Sequence, residues 1–342
     1  MKLPENLPLF ASVTPDEAKE MLCTMEYGYP PKMPEKTEFI IDETDGDFCA
    51  GKAVRKDVTA RVINGGKTFS FPFCAVIPKC DKPVPAVVLV NFHTPVPSKY
   101  LPSEEICDMG TAVFSFDYQA VSPDNDDFES KAGGFLNVDR CDPYAPGKIA
   151  IWAWAMRIVM NYVETCPEID LNNVAAGGHS RLGKTALFAG MHDERFKFVW
   201  SNDSGCCGAA LFRGKVGESA ADIHRVFPFW FCPNFSNYTD SDDAFPFDQH
   251  YLLSCIAPRK LYVCSAIEDI WADPQNELAG CIAATPAYES FGVSGLVGDP
   301  ENAYSGLVLH DGNIGYHCRS GSHYMGREDW QKFIAFMNKH KN

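Results

Sequence analysis

From Val84 onward the chain shows short continuous apolar runs alternating with stretches of helical period. Such runs are typical of strands buried on both faces of a sheet. They fall at Ala86 to Phe92, Ala112 to Asp117, Val174 to Gly178, Phe198 to Asn202, Lys260 to Ala266 and Ser305 to Leu309. The apolar spacing of Lys148 to Thr165 predicts a long core-facing helix, and Gly183 to His192, Glu277 to Phe291 and Arg327 to Lys339 predict three more. Strands separated by helices imply an α/β fold: a mostly parallel central sheet, helices on both faces, and ligands at the carboxyl ends of the strands.

The first 83 residues read differently. Thr14-Pro15-Asp16-Glu17 combines a capping threonine, a proline at the first helical position and a glutamate three residues after the cap, which predicts a short helix to about Met25. The proline-rich stretch Tyr29 to Pro34 ends it. Thr59 to Ile63 and Lys67 to Phe71 flank Asn64-Gly65-Gly66 and predict a hairpin on the antiparallel edge of the sheet. No linker or repeat divides the chain beyond Val84, so one domain is expected over 1–342, with helix and edge hairpin in 1–83 and the core in 84–342.

Composition narrows the class of partner. With 46% hydrophobic and 22% charged residues the chain is that of an ordinary folded protein. Its 45 acidic side chains against 30 basic ones give a net charge of −15, which repels nucleic acid and anionic membrane surfaces, so neither is an expected partner. There is no apolar run of about 18 residues, and Met1 to Phe10 carries charges and prolines where an export signal would be apolar. A cytoplasmic location is therefore expected for the sequence as it stands, and a secreted one if an export signal is missing from it. None of the fourteen cysteines forms a C-x-x-C pair, and Cys206-Cys207 are too close for ordinary disulfide geometry, which points to buried thiols in a reducing compartment. Asn234-Phe235-Ser236 and Asn237-Tyr238-Thr239 fit the glycosylation pattern, which matters only on a secretory route. The oligomeric state is left open.

Val174-Ala175-Ala176-Gly177-Gly178 runs into His179-Ser180-Arg181-Leu182-Gly183-Lys184, and the helical Thr185-Ala186-Leu187-Phe188 comes next. Strand, sharp turn and helix suit a nucleophilic serine: the turn exposes the hydroxyl, glycines sit where side chains would collide, and the helix N-terminus favours developing negative charge. Gly178-x-Ser180 supplies the first half of a G-x-S-x-G elbow, but the second glycine comes one residue late, at Gly183. The competing reading makes Ser180 a simple helix cap.

In such an architecture the base comes after the nucleophile, on a loop beyond the last strand. His310, His317, His323 and His340 lie late enough. His340 is in the tail, His317 lies in a segment that alternates like an edge strand, and His310 ends a strand. His323, in Gly321-Ser322-His323 just before the closing helix, leads, with His310 second. For the acid, the outlet of the Lys260 to Ala266 strand, Glu268-Asp269-Ile270-Trp271-Ala272-Asp273, offers three carboxylates, and Asp203 is a second option. The whole reads as an α/β-hydrolase three-layer sandwich with antiparallel N-terminal edge strands and a serine nucleophile.

These segments resemble the glucuronoyl esterases, carbohydrate esterase family fifteen, especially their bacterial branch. The likeness rests on Gly178-His179-Ser180-Arg181-Leu182-Gly183-Lys184, Ser201-Asn202-Asp203-Ser204-Gly205, Val216-Gly217-Glu218-Ser219, Phe247-Asp248-Gln249-His250, Ile256-Ala257-Pro258-Arg259 and Ser265 to Pro274, with Gly321-Ser322-His323 and Asp329-Trp330, in order from about residue 85 to 335. It implies cleavage of the ester joining 4-O-methylglucuronic acid on xylan to lignin alcohols, with Ser180 as nucleophile and His323 as base. It further implies that Arg181 holds the oxyanion and that Lys184, Glu218 and Trp271 contact the uronic sugar. The family's acid lies after either of the two strands already noted. Many members carry glutamate where this chain has the shorter Asp203, which favours Asp269. Cysteines that form a disulfide beside nucleophile and base in the fungal branch are replaced by His179 and Tyr324.

The expected reaction is ester hydrolysis through an acyl-enzyme, without cofactor or metal. His179, His192, His224 and His250 lack metal-ligand spacing. The expected partner is a small or polysaccharide substrate derived from glucuronoxylan. Two alternatives stand beside it: the same machinery acting on acetylated xylan or other carbohydrate esters, and a catalytically silent carbohydrate-binding protein.

Overall fold

Alternate residues of an interior strand face opposite sides of the sheet, so a fully apolar strand needs a core on each side. In β4 (Val84–Asn91), Val87 and Leu89 join one core with Val113, Trp200 and Phe333, while Ala86, Val88 and Val90 join the other with Phe114, Trp152 and Leu187. Helix Arg327–His340 supplies the first core; helices Lys148–Val163, Arg181–His192 and Pro274–Ser290 supply the second. These three layers, in a computed structural model that describes residues 1–341 (for Ser12 the backbone only), make the α/β-hydrolase fold expected from the sequence.

The remaining strands are β1 (Lys36–Asp45), β2 (Ala53–Asn64), β3 (Lys67–Pro78), β5 (Ala112–Asp117), β6 (Ile169–His179), β7 (Phe198–Asn202), β8 (Lys260–Ala266), β9 (Leu307–Leu309) and β10 (Ile314–Arg319). They form one sheet in the order β1-β2-β3-β5-β4-β6-β7-β8-β10-β9. Pairings from β5 through β10 in that order are parallel; β1–β2, β2–β3, β3–β5 and β10–β9 are antiparallel.

One expectation is extended and one corrected. The hairpin turning at Gly65-Gly66 lies in the antiparallel edge region as expected, with one further strand, β1, outside it. β1 escaped notice because it is largely exposed, Ile40 and Ile41 included, so neither an apolar run nor clean alternation marks it. By contrast, β10 is not an edge strand: it sits between β8 and β9 and is buried throughout. Its polar alternate position, His317, is satisfied internally by Tyr262 and Asp329.

Near the N-terminus, Thr14 and Glu17 form the expected capping box on helix Pro15–Leu22, and the segment continues as a π-helical turn, Cys23–Tyr27. All fourteen cysteines are free thiols, buried except Cys49, Cys80 and Cys141. Among the described residues no helix is long and apolar enough to cross a membrane.

Candidate active site

β6 ends at His179, and the chain reverses at Ser180, whose φ of 59° and ψ of −130° place a non-glycine residue in a strained region. The Arg181–His192 helix starts at the next residue, so its first amides, which lack intrahelical partners, face the serine's surroundings. Gly178 is obligatory at this reversal: a Cβ there would lie 2.2 Å from the Leu182 carbonyl oxygen. The late glycine of the sequence pattern has its own reason. A Cβ on Gly183 would come within 3.0 Å of Ser201 Oγ and Ser204 Cβ, where the helix packs against the outlet of β7.

Ser180 Oγ lies 2.8 Å from His323 Nε2, and His323 Nδ1 lies 2.6 Å from Asp269 Oδ2. An ionised carboxylate only accepts, so the imidazole proton sits on Nδ1 and Nε2 is free to receive the serine's proton. The neighbouring carboxylates are otherwise engaged. Glu268 accepts from the Gly321 amide at 3.1 Å, and Asp273 caps the next helix through the Asn276 amide while also accepting from the Val216 amide. The other late histidines lie elsewhere: His310 and His317 bond to the Tyr262 hydroxyl, and His340 donates to the His310 carbonyl.

Asp203 is close without being hydrogen-bonded to the base. One carboxylate oxygen of each aspartate and one His323 nitrogen fall within 4.8 Å of one another. Asp203 Oδ1, however, accepts from the Ala266 amide at 2.7 Å and Oδ2 from Arg319 at 3.3 Å. Burial pushes the Asp203 carboxyl well above the ordinary range, the Glu277 charge adds to this, and Arg319 opposes it. Buried Glu277 accepts from Ser265 Oγ and the Gly205 amide, so it ties the turn after β7 to β8; burial raises its carboxyl to about 7. On the other side of the base, the His179 ring packs 4.5 Å from that of His323 and stays neutral, its burial pulling it down to about 3. Tyr100 fills the space between His179 and Tyr324, with ring centroids 5.4 and 5.3 Å away.

Ser180, Arg181, Lys184, Asp203, Glu218, Asp269, Trp271 and His323 all line one cleft of about 300 Å³, together with Ser204, Gly205, Phe227, Trp230 and Ala272. Arg181 pairs with Asp124 and lies over Trp230 at 4.6 Å. Trp230 Nε1 donates to the other Asp124 oxygen at 2.7 Å, which fixes platform and guanidinium together. The Arg181 Nε is buried and has no hydrogen-bond partner among the described residues. Lys184 donates to the Ser204 carbonyl at 2.5 Å; burial holds its ammonium below the ordinary value, and Glu218 works against this. Trp271 stands 59% exposed at the rim. A larger cleft of about 600 Å³ against Met1–Glu5 holds no paired nucleophile and base.

Asp124, Phe227 and Trp230 were not anticipated from the sequence. The aromatic run Phe227-Pro228-Phe229-Trp230 was the one available signal, and nothing local marks Asp124.

A family model described as "Glucuronyl esterase, fungi" matches residues 60–292. The chain belongs to the glucuronyl esterase family. Within it, the chain is similar to the carbohydrate esterase MZ0003 from an unknown prokaryotic organism, 44% identical over 194 residues that cover 57% of this chain and 44% of that one. It is also similar to the 4-O-methyl-glucuronoyl methylesterase of Schizophyllum commune, 28% identical over 238 residues, 66% of this chain and 58% of that one. The chain thus spans about half the length of these curated relatives. Among solved structures it resembles a glucuronoyl esterase from Solibacter usitatus, with a TM-score of 0.89 at 27% identity over 99% of this chain and 97% of that one. A promiscuous CE15 esterase from a marine bacterial metagenome gives 0.85 at 28% identity, with the same coverages. In this glucuronyl esterase family member, as in the elbow pattern read from sequence, the strained serine stands at the carboxyl end of a central strand.

Proposed function

We propose that the protein hydrolyses carboxylic esters of (4-O-methyl-)D-glucuronic acid through an acyl-enzyme formed on Ser180. The observation that carries this reading is the unbroken hydrogen-bonded line Ser180–His323–Asp269 opening into a sugar-sized cleft. His323 takes the Ser180 proton as Oγ bonds to the ester carbonyl carbon; the alcohol leaves with that proton. Water, deprotonated by His323, then releases the uronic acid and restores the serine. Asp269 holds the imidazole tautomer and stabilises its charged form.

Arg181 is the proposed oxyanion donor, since its unpartnered buried Nε–H stands beside the nucleophile on a guanidinium fixed by Asp124 and Trp230. A preorganised donor acts mainly on the transition state, so Arg181→Ala is expected to lower kcat about a hundredfold or more with a smaller change in KM. Steady-state kinetics check this, and an unchanged kcat removes the role. Lys184, Glu218 and Trp271 supply a polar floor and an aromatic rim suited to a hydroxylated ring. The relatives named 4-O-methyl-glucuronoyl methylesterases support the uronate as substrate.

The substrate assignment is tested by comparing kcat/KM on benzyl D-glucuronate and on an acetylated sugar. Preference for the uronate ester is expected. Preference for acetyl would move the function to a general carbohydrate esterase, the reading that the promiscuous structural relative keeps in view.

A further inference from the structure

The His323 loop, residues 320–326, lies outside every strand and helix, yet it must hold an imidazole to hydrogen-bond precision at both nitrogens. Its carbonyls converge on one side chain. Arg319, the last residue of β10, donates from Nη1 to the Ser320 carbonyl at 2.9 Å and to the Ser322 carbonyl at 3.3 Å. From Nη2 it donates to the Ser322 carbonyl at 3.3 Å and to the Tyr324 carbonyl. The residues before and after His323 are therefore held by one guanidinium. That guanidinium is itself buried and fixed: Nε donates to both Asp329 oxygens at 3.1 and 3.0 Å, and Nη2 reaches Asp203 Oδ2 at 3.3 Å. Asp329 also accepts from the Gly326 amide at 2.7 Å, where the closing helix begins, so the loop is anchored at both ends through the same pair.

We propose that Arg319 is a positioning residue for the general base, its planar fork clamping the His323 loop while the buried carboxyl groups of Asp203 and Asp329 hold the fork in place. Asp329 supplies the counter-charge, and Asp203 serves the base loop rather than the imidazole. A lysine keeps the charge but loses the fork, because an ammonium is a point donor that cannot span the Ser320, Ser322 and Tyr324 carbonyls at once. The reading rests on Ser180 and His323 acting as nucleophile and base.

Arg319→Lys is the test, since it leaves Asp203 and Asp329 a cation and so preserves the fold. At a melting temperature within about 5 °C of wild type, kcat on benzyl D-glucuronate is expected to fall by roughly ten- to a hundredfold while KM stays within about twofold. The far-downfield proton signal of the His323–Asp269 hydrogen bond should broaden, and labelling of Ser180 by an organophosphonate should slow in parallel. A folded variant with wild-type kcat and an unchanged signal overturns the proposal. A second measurement needs neither variant nor substrate: backbone order parameters of residues 320–324 in the wild type should match rigid structure, about 0.85, and values below about 0.6 overturn the clamp. Failure of the wild type to cleave any ester or to label at Ser180 would instead sink the functional reading, while the order parameters still judge the clamp.

Discussion

Replacing Ser180 by alanine is expected to remove ester turnover, with kcat on benzyl D-glucuronate falling by roughly five to six orders of magnitude. In the proposed reaction Oγ is the atom that bonds to the ester carbon, and no other hydroxyl bonds to His323 Nε2 among the described residues. What remains after its loss is stabilisation of the oxyanion and binding of the sugar, which together keep a residual rate above water alone. The backbone gives no reason for collapse, because alanine at φ 59° is strained as serine is, and the hydrogen bond that the Ser180 backbone N–H donates to the Asn202 carbonyl at 2.8 Å does not involve the side chain. An unchanged melting temperature with substrate binding retained should therefore accompany the lost rate. Retention of more than about one per cent of wild-type kcat would mean that another group attacks the ester.

The second large effect is expected at Asp269. Asp269→Asn presents an amide where the imidazole needs an acceptor, which turns His323 toward the tautomer with its proton on Nε2; that nitrogen then cannot take the serine's proton. A drop of about four orders of magnitude in kcat is expected, the size typical of this change in a serine triad. Asp203→Asn should behave otherwise. Its Oδ1 continues to accept from the Ala266 amide, while an amide nitrogen in place of Oδ2 no longer accepts from Arg319, which loosens the arginine and, through it, the base loop. The expected loss is about tenfold or less in kcat, together with reduced stability. Kinetics of the two single variants and of the double variant, compared at temperatures where all are folded, decide between the aspartates. If Asp203→Asn proves the more damaging, the roles of the two carboxylates exchange. Losses within a triad act as a unit, so the double variant need not show their sum.

The interior strands were legible because each carries its own evidence. β5, β7 and β8 run over the residues that their apolar runs marked, since burial on both faces leaves no polar position to blur the ends. β1 was not legible: as an exposed edge it has no core-facing period, and only pairing with β2 defines it. β10 misled for the opposite reason, because its alternating polar position is paired inside the protein.

The same division holds in the active site. Ser180 was readable because strand, glycine, reversal and helix are local features within a dozen residues, and His323 because it lies on a loop ahead of the last helix. The choice of carboxylate was not readable, since Asp203 and Asp269 both come after a strand that ends beside β6 or its neighbour, and distance to His323 is set by the sheet rather than by the chain. The family resemblance implies a role for Arg181, but its partners Asp124 and Trp230 are distant in sequence and meet it only in space. Arg319 went unread altogether. By itself, then, the sequence determined the α/β order and marked Ser180 and His323 as candidate nucleophile and base, because the period of hydrophobic residues and the chemistry of a tight turn are properties of neighbouring residues. The tertiary structure alone decided which aspartate meets the imidazole, what fixes Arg181 and what holds the base loop, because those choices depend on distances between strand ends that no local pattern encodes.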